Sequence, residues 1–437
     1  MKTQNIGRWT GIAAALLFAL LAPAHGAPAP QAASPPLSVA NSIVSVDFGK
    51  PVAHVHSMVG FLHGSNATTP GDDRLLPLHP ALWRIGYMWM QNRDRLAKLH
   101  VPTILILSDS WGSRVPKTMG EWDGFVHAMV KNANGLPFTW DVMNEPDLSY
   151  SFKGTPEQYS EMFAHASQIL HAQLGPQTAV SGPSISHYDP QYLANFLDYC
   201  KAHGAQVDVL SWHELNDDTN VHAVTEHLRD ARRRFLDNPA YKGLGIQKIE
   251  INEIVGPAAQ YEPAAILGYF DALEQGGADG ACKGCWDDNC ANNTLGGLVT
   301  PDTHAPRAAW WAYKSYADTV AARVLSRAAD PRVVSFAASG SDRSATVLVG
   351  CLGEGPLGKR PVTVSLRLTG LHRLPFARAG RRVHLRVERI PDAGKQPVDH
   401  LEVVQERDAA VARGMATVLL PPLTPHEADL ITLSRTP

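Results

Sequence analysis

The chain has 437 residues, of which 44% are hydrophobic and 19% are charged, and its formal net charge at pH 7 is −3. This composition excludes a disordered chain, which would be poorer in apolar residues and richer in net charge. The near-neutral charge also argues against nucleic acid as a partner, because no overall basic field would hold phosphates. At roughly 100–200 residues per domain, the length predicts two or three domains.

The first residues have the pattern of a secretory signal. Lys2 and Arg8 precede an apolar run from Ile12 to Ala22, and small residues suitable for cleavage follow it. The run is shorter than the ~20 apolar residues that a membrane-spanning helix needs. We therefore expect a signal peptide over residues 1–27, a linker over 28–36, no membrane span after signal removal, and a periplasmic or secreted protein.

Short apolar runs alternate with amphipathic stretches over residues 55–326. The predicted strands are Met58–His63, Trp83–Tyr87, Thr103–Ser108, Thr139–Asn144, Ala179–Ser184, Val207–His213, Lys248–Glu253 and Asp279–Trp286. Eight strands separated by helices predict an α/β fold, a parallel (β/α)8 TIM barrel. A doubly wound open sheet is the structural alternative, but the G-x-G-x-x-G turn that usually accompanies it is missing.

The remaining residues, 327–437, have a different pattern. Short alternating runs are separated by turn-rich loops, which predicts a β-sandwich domain. The predicted strands are Val333–Ala337, Ala345–Gly350, Val362–Leu368, Arg382–Arg389, Ala416–Leu420 and Leu430–Leu433. A further strand-like segment within residues 37–54 precedes the barrel, and we expect it to join the sandwich.

Three of the five cysteines, Cys282, Cys285 and Cys290, lie close together in the chain. The Cys-x-x-Cys spacing occurs at zinc sites, but the second Cys or His pair of such a site is missing. Export permits disulfides. The pattern favours a disulfide within this cluster over a metal site, and it leaves the pairing open.

Two glutamates at predicted strand ends, Glu145 and Glu253, suit acid–base chemistry. Each follows an asparagine at the end of a predicted barrel strand, where barrel active sites lie. Two facing carboxylates are what glycoside hydrolysis needs, and the charge of one should raise the pKa of the other. Glu250 competes with Glu253, but strand alternation predicts opposite faces for them and a solvated or salt-bridged Glu250.

The string Trp140-Asp141-Val142-Met143-Asn144-Glu145-Pro146-Asp147, together with the glutamate of the seventh strand, resembles glycoside hydrolase family 39. That family belongs to the retaining barrel glycosidases of clan A and includes β-xylosidases, α-L-iduronidases and enzymes that cut exopolysaccharide. The resemblance implies a barrel with a β-sandwich, Glu145 as the general acid/base and Glu253 as the nucleophile.

The same resemblance implies a set of substrate-binding residues. Asn144 would bind the sugar 2-hydroxyl, Arg84 would lie near the nucleophile, His213 would be a polar site residue, and Trp286 would form a platform beneath the sugar. Each has a structural alternative: ion pairing for Arg84, and core packing for His213 and Trp286. The weaker candidates, which end strands one and three, are His63, Asp109 and Trp111.

The sequence thus predicts a secreted retaining glycoside hydrolase that takes a carbohydrate substrate and needs no cofactor or metal. The sugar, the linkage, exo or endo action and the oligomeric state stay open. An exo-acting β-xylosidase-like enzyme and a non-catalytic carbohydrate-binding barrel are the alternatives. Several arginines between Arg373 and Arg389 suggest a dock for anionic polysaccharide, although nearby acidic residues favour an ordinary solvated face.

Overall fold

The computed structural model describes residues 40–86, 92–215, 221–286, 292–353, 358–377 and 382–436. The predicted signal peptide, the predicted linker and Cys290 lie outside these ranges.

Strand β1 (Ala40–Pro51) precedes a closed barrel of eight parallel strands. The barrel strands are β2 (Gly60–Leu62), β3 (Leu82–Gly86), β4 (Thr103–Ile106), β5 (Phe138–Asp141), β6 (Ala179–Ile185), β7 (Val209–Glu214), β8 (Lys248–Ile254) and β9 (Gly280–Lys283). Each strand pairs with its neighbours in the chain, and β2 pairs with β9 to close the barrel. The predicted TIM barrel is confirmed.

Helices connect the barrel strands. They are α1 (Asp72–Leu75), α2 (Arg93–Lys98), α3 (Ser108–Trp111), α4 (Met119–Ala133), α5 (Pro156–Leu174), α6 (Pro190–Ala202), α7 (Val221–Ala231), α8 (Pro263–Gly276) and α9 (Ala308–Val320). Local sequence sets where they begin: Thr155 and Gln158 form a capping box at α5, and Asp189 caps α6. These helices bury their apolar faces on the barrel and so fix the strand ends that carry the site.

The C-terminal residues form a nine-stranded, mostly antiparallel sheet together with β1. Its other strands are β10 (Arg323–Ala328), β11 (Val333–Ala338), β12 (Ser344–Cys351), β13 (Val362–Thr369), β14 (Arg382–Ile390), β15 (Glu402–Ala410), β16 (Ala416–Leu419) and β17 (Ala428–Ser434). Strand β1 lies between β10 and β13, antiparallel to the first and parallel to the second. The edge strands β15 and β16 also approach each other, since Gln405 donates to the Leu419 carbonyl at 3.2 Å. The sheet encloses one apolar core, as predicted for a β-sandwich.

The sheet packs on the barrel through the outer faces of α8 and α9. Arg323 of β10 makes two 2.9 Å hydrogen bonds to the carboxylate of Glu274 on α8, and the Tyr316 hydroxyl of α9 donates to the same carboxylate at 2.7 Å. Residues 38–437 form one compact unit. The interface therefore ties the barrel to the sheet through a buried, fully paired ion cluster.

The arginines of β14 are paired with acidic neighbours. Arg386 contacts Glu388 at 3.3 Å and Glu406 at 3.5 Å, and Arg389 bonds both Glu427 and Asp429 at 2.6 Å. This pairing favours the solvated, charge-balanced face over a dock for anionic polysaccharide. Within the described ranges, none of the helices combines the length and the hydrophobicity required to cross a bilayer.

Candidate active site

The site is centred on the buried guanidinium of Arg84, on β3. Its Nε and Nη2 donate to Asp141 Oδ2 at 2.8 and 2.7 Å, its Nη1 donates to Glu253 Oε1 at 2.7 Å, and Nη2 also reaches Asn144 Oδ1 at 2.9 Å. Burial alone would lower the pKa of Arg84, but the negative charges of Asp141 and Glu253 raise it above its usual value. One permanently charged side chain thus connects the C-terminal ends of β5 and β8.

A bulge in β8 directs Glu253 into this network. Opposite β7, Trp212 pairs with Ile251 but His213 pairs with Glu253, so Asn252 is an extra residue in β8. Asn252 donates to Asp141 Oδ2 at 3.1 Å, while Glu253 accepts from Arg84. Two consecutive side chains therefore reach the same cluster, which regular alternation would forbid.

This bulge corrects the expectation for Glu250, because alternation between Glu250 and Glu253 is interrupted. Glu250 is also not solvated: it is only 4% exposed, packs beside Gly280 of β9, and leaves Oε2 without a hydrogen-bond partner. Of the two predicted surroundings, the salt bridge is present, since Lys248 Nζ lies 3.9 Å from Glu250 Oε1, although this distance is long for an ion pair. Burial raises the pKa of Glu250 to about 7, against a weaker opposing effect of Lys248.

Glu145 lies just after β5 in a left-handed backbone conformation, with φ at 47°. Such a conformation is rare for a residue with a side chain, and here the backbone N–H of Glu145 donates to the Ser184 carbonyl at 2.9 Å. The carboxylate is 8% exposed. Its Oε1 lies 3.1 Å from His213 Nδ1, and its Oε2 accepts from the Tyr150 hydroxyl at 3.0 Å.

A raised pKa, which the sequence predicts for one of the two glutamates, is not found at Glu145. Burial does raise the pKa, but the hydrogen bond and charge of His213, and then the bond from Tyr150, outweigh it and hold the pKa below its ordinary value. The physical reason is that both carboxylate oxygens face hydrogen-bond donors, and these stabilise the ionised form. These contacts therefore favour the carboxylate form of Glu145.

His213, at the end of β7, lies between the two glutamates. Its ring is fully buried, with Nδ1 at 3.1 Å from Glu145 Oε1 and Nε2 at 3.9 Å from Glu253 Oε1. The Nε2 atom has no hydrogen-bond partner. One imidazole thus borders both carboxylates, and a nitrogen remains available between them.

A second buried layer supports Asp141. The Ser184 hydroxyl donates to Asp141 Oδ1 at 2.8 Å and accepts from Asn252 Nδ2 at 2.9 Å, while Ser211 lies 2.8 Å from Ser184. Because every oxygen of Asp141 is paired, this carboxylate can hold Arg84 in one orientation. Ser184 touches both halves of the site, through Asn252 and through the backbone of Glu145.

His63 and Asp109 lie beside the Arg84 network. The His63 Nε2 is 3.6 Å from Asp109 Oδ2. Burial, and then the charge of Arg84, lower the pKa of His63 to about 3, so the imidazole is neutral. Burial raises the pKa of Asp109 to about 6 in spite of Arg84. Gly86 makes room for this pair, since a Cβ there would lie 1.7 Å from the Asp109 carboxylate.

The two tryptophan candidates have different surroundings. Trp286 is half-buried, and its indole N–H donates to the Val255 carbonyl at 2.9 Å. Val255 follows β8 and is two residues beyond Glu253, so this bond holds Trp286 near the end of β8. Trp111 is buried against Trp122 and Phe125, with the Arg114 guanidinium 3.5 Å above its ring. The described contacts of Trp111 are thus those of a core residue, and none of them is with a glutamate of the site.

The cysteine cluster is described in part. Cys285 is disulfide-bonded, whereas Cys200, Cys282 and Cys351 are free, buried thiols. Burial raises the pKa of Cys282, so its thiol stays protonated. Among the described residues no group of three His, Cys, Asp or Glu side chains is placed to hold a metal ion.

Sequence reasoning missed four residues of this site: Asp141, Tyr150, Ser184 and Asn252. Asp141 had a usable signal, because a carboxylate inside a predicted strand needs a cationic partner. Asn252 belongs to the Asn-Glu pair that the sequence shows, but its hydrogen bond to Asp141 depends on the bulge in β8. Tyr150 and Ser184 carry no local signal, since their contacts come from the path of the backbone.

No family model matches the sequence, and no curated protein matches it either. Solved structures do match the fold. They include N2152 from Neocallimastix frontalis (TM-score 0.72, 19% identity, covering 91% of this chain and 100% of that chain). A GH39 enzyme from Xanthomonas axonopodis pv. citri matches with TM-score 0.67 and 14% identity, over 91% of this chain and 98% of that one. A monomeric beta-xylosidase from Caulobacter crescentus matches with TM-score 0.66 and 15% identity, over 90% and 100%.

These likenesses extend over nearly the whole of each chain, so barrel and sheet match together. The predicted resemblance to glycoside hydrolase family 39 is confirmed at the level of the fold.

Removing the charge of Arg84 should destabilise the protein strongly. In Arg84→Met, Asp141 and Glu253 remain buried without their cation, and we expect the free energy of unfolding to fall by roughly 3–5 kcal/mol. Urea denaturation measures this. The control is Arg229→Met, which removes a solvent-exposed pair with Glu226 and should cost no more than about 1 kcal/mol. Equal losses in the two variants would contradict the central role of Arg84.

Glu250 should make stability pH-dependent. Its folded pKa of about 7 exceeds the ordinary value of 4.5, so between these values the folded state holds a proton that the unfolded state has lost. Stability from this group therefore falls as pH rises through that window, by up to about 3 kcal/mol. Glu250→Gln has no carboxyl group to ionise, so the unfolding free energy of this variant should not show this fall.

Denaturation at pH 5 and pH 8 tests this expectation. Relative to the wild type, Glu250→Gln should gain roughly 2–3 kcal/mol in unfolding free energy between the lower and the higher pH. The exposed Glu402→Gln serves as the control and should show little change. A constant difference between Glu250→Gln and the wild type at both pH values would refute the prediction.

Proposed function

We propose that the protein is a retaining glycoside hydrolase that acts on β-linked glycosides of an extracellular polysaccharide or its oligosaccharides. The observation that carries the proposal is the pair of buried carboxylates on either side of His213, each with a different partner. Glu253 is bound by a permanent cation, whereas Glu145 is bound by a histidine and by an exposed phenol. The fold shared with a GH39 enzyme and a beta-xylosidase supports the same reaction class.

Glu253 is the proposed nucleophile. The bond from Arg84 orients Oε1 of its carboxylate, which leaves Oε2 to attack the anomeric carbon. Bond formation at Oε2 is accompanied by cleavage of the glycosidic bond and gives a glycosyl ester with Glu253. Asn144 is fixed by Arg84 through Oδ1. Its Nδ2 makes only a long contact of 3.5 Å with Glu145 Oε2, so it can turn its donation to the sugar 2-hydroxyl.

Glu145 is the proposed general acid/base. In the first step its proton passes to the leaving glycosidic oxygen, and in the second step it takes a proton from the water that hydrolyses the ester. Its lowered pKa in the unliganded protein suits the second step. For the first step, a bound sugar must displace water and a hydrogen-bond donor from Glu145, which raises its affinity for the proton.

His213 and Trp286 complete the proposed sugar site. The unpartnered Nε2 of His213 lies beside Glu253, where a substrate hydroxyl or the ester oxygen can bind to it. Trp286 is held at the end of β8 and offers a half-buried aromatic face. Export, which rests on the N-terminal segment, places the substrate in the periplasm or outside the cell.

The two glutamates predict distinguishable variants. Glu145→Ala should lose about 10²–10⁴-fold in turnover of substrates with sugar leaving groups, and much less with an activated aryl leaving group. Azide should restore turnover of the aryl substrate and give a β-glycosyl azide. Glu253→Ala should lose turnover of every substrate, and azide should give the α-anomer.

Proton NMR of the products measures the anomeric configuration, and Glu226→Ala, an exposed helix residue, serves as the control with full activity. The wild-type enzyme should release the β-anomer first. Initial release of the α-anomer would contradict retention, and binding of oligosaccharides without any hydrolysis would favour the non-catalytic alternative.

A further inference from the structure

Tyr150 stands out because it is an exposed aromatic side chain on an ordered turn. It is 72% exposed, and among the described residues no other aromatic side chain counts as an exposed large hydrophobic group. An aromatic ring with a polar hydroxyl at its tip is suited to binding at a site that is apolar on one side and wet on the other.

The turn that carries Tyr150 is anchored on both sides. The N–H groups of Ser151 and Phe152 both donate to the Leu148 carbonyl, and Phe152 is buried in the barrel core. On the other side, Asp147 accepts from the backbone N–H of Ser186 at 2.9 Å and from its hydroxyl at 2.5 Å. The ring of Tyr150 is therefore presented to solvent by a fixed backbone.

The hydroxyl of Tyr150 fixes the place of the ring within the active site. It donates to Glu145 Oε2 at 3.0 Å, and Glu145 Oε1 faces the buried His213. In the proposed reaction, which this inference rests on, Glu145 protonates the glycosidic oxygen, so its carboxyl marks the leaving-group side of the scissile bond. An aromatic ring bonded to that carboxyl lies where the leaving sugar must sit.

We propose that Tyr150 forms a leaving-group subsite that binds a sugar residue and thereby selects β-linked oligosaccharides over glycosides with small leaving groups. The exposed ring offers a flat surface for the apolar face of a pyranose. Three donors face Glu145: His213 at Oε1, and Tyr150 at 3.0 Å and Asn144 at 3.5 Å from Oε2. Tyr150 is the exposed one, so an incoming glycosidic oxygen can replace it at Oε2. When the Tyr150 hydroxyl leaves, Oε2 of Glu145, which carries the proton, can face the glycosidic oxygen.

The phenol also acts on the acid/base itself. Burial, and then the bond to Glu145, raise the pKa of Tyr150 to about 12, so the hydroxyl remains a donor throughout the neutral range. Its bond stabilises the carboxylate form of Glu145 and contributes to its lowered pKa. Departure of Tyr150 from Oε2 therefore couples binding of the leaving sugar to protonation of Glu145.

Two variants separate the ring from the hydroxyl. In Tyr150→Ala the sugar-binding surface is lost, and we expect kcat/KM for oligosaccharides to fall at least about tenfold relative to an aryl glycoside with a small leaving group. In Tyr150→Phe the ring remains, so this ratio should stay near the wild-type value. The lost hydroxyl should shift the alkaline limb of the kcat/KM profile upward by about 0.5–1 pH unit.

Tyr241→Phe is a matched control, because this tyrosine also bonds a carboxylate, that of Asp198, but lies in a segment that precedes β8, at the opposite end of the barrel. Its substrate ratio and pH profile should equal those of the wild type. The proposal would be overturned if Tyr150→Ala lost kcat/KM equally on the oligosaccharide and the aryl glycoside. An unshifted pH profile for Tyr150→Phe would also overturn it.

Calorimetric binding of a β-linked oligosaccharide gives a readout that does not need turnover. Tyr150→Ala should bind at least about tenfold more weakly than the wild type, and Tyr150→Phe should not. A wild-type protein that binds the oligosaccharide without hydrolysing it would contradict the proposed hydrolase. The affinities of the wild type and Tyr150→Ala would still test the subsite in that case. Equal affinities of the wild type and Tyr150→Ala would refute the subsite.

Discussion

The geometry of the site depends on the buried guanidinium of Arg84. Three of its nitrogens bind Asp141, Asn144 and Glu253, so one side chain from β3 fixes groups that β5 and β8 bring to the same end of the barrel. A buried carboxylate that lacks a cation is costly, and a buried cation that lacks carboxylates is equally so. The charges of Arg84, Asp141 and Glu253 therefore stabilise one another, and their ion pairs connect β3, β5 and β8.

This constraint gives the two glutamates different partners within one site. Glu253 is bound to the guanidinium of Arg84, which keeps its positive charge. This partner suits the proposed nucleophile, which must react as a carboxylate. Glu145 is bound to the buried His213 and to the exposed Tyr150. A substrate can displace Tyr150, which suits a group that exchanges a proton in the proposed reaction. In the proposed reaction, two identical side chains thus perform opposite roles because their partners differ in how firmly they are held.

Much of this arrangement could be predicted, since β/α repetition locates the strand ends and strand ends locate Glu145 and Glu253. Arg84 and His213 were predicted from the resemblance to family 39. Strands β10 and β15 were missed because their sequences are half polar, with edge or partly buried faces that blur the alternating pattern. The bulge at Asn252 could not be predicted, because alternation assumes a regular strand. The raised pKa predicted for one of the two glutamates is not found at Glu145 for a related reason: its pKa depends on donors such as Tyr150 that only the folded backbone brings near.

The central claim is that Glu253, fixed by Arg84, forms a covalent bond to the sugar. A 2-deoxy-2-fluoro-β-glycoside of the sugar that the enzyme hydrolyses, with an activated leaving group, should inactivate it by trapping that ester. Mass spectrometry of the digested protein should then find the mass of one fluorosugar on the peptide that contains Glu253. A label on the peptide that contains Glu145, or inactivation without any covalent label, would contradict the account.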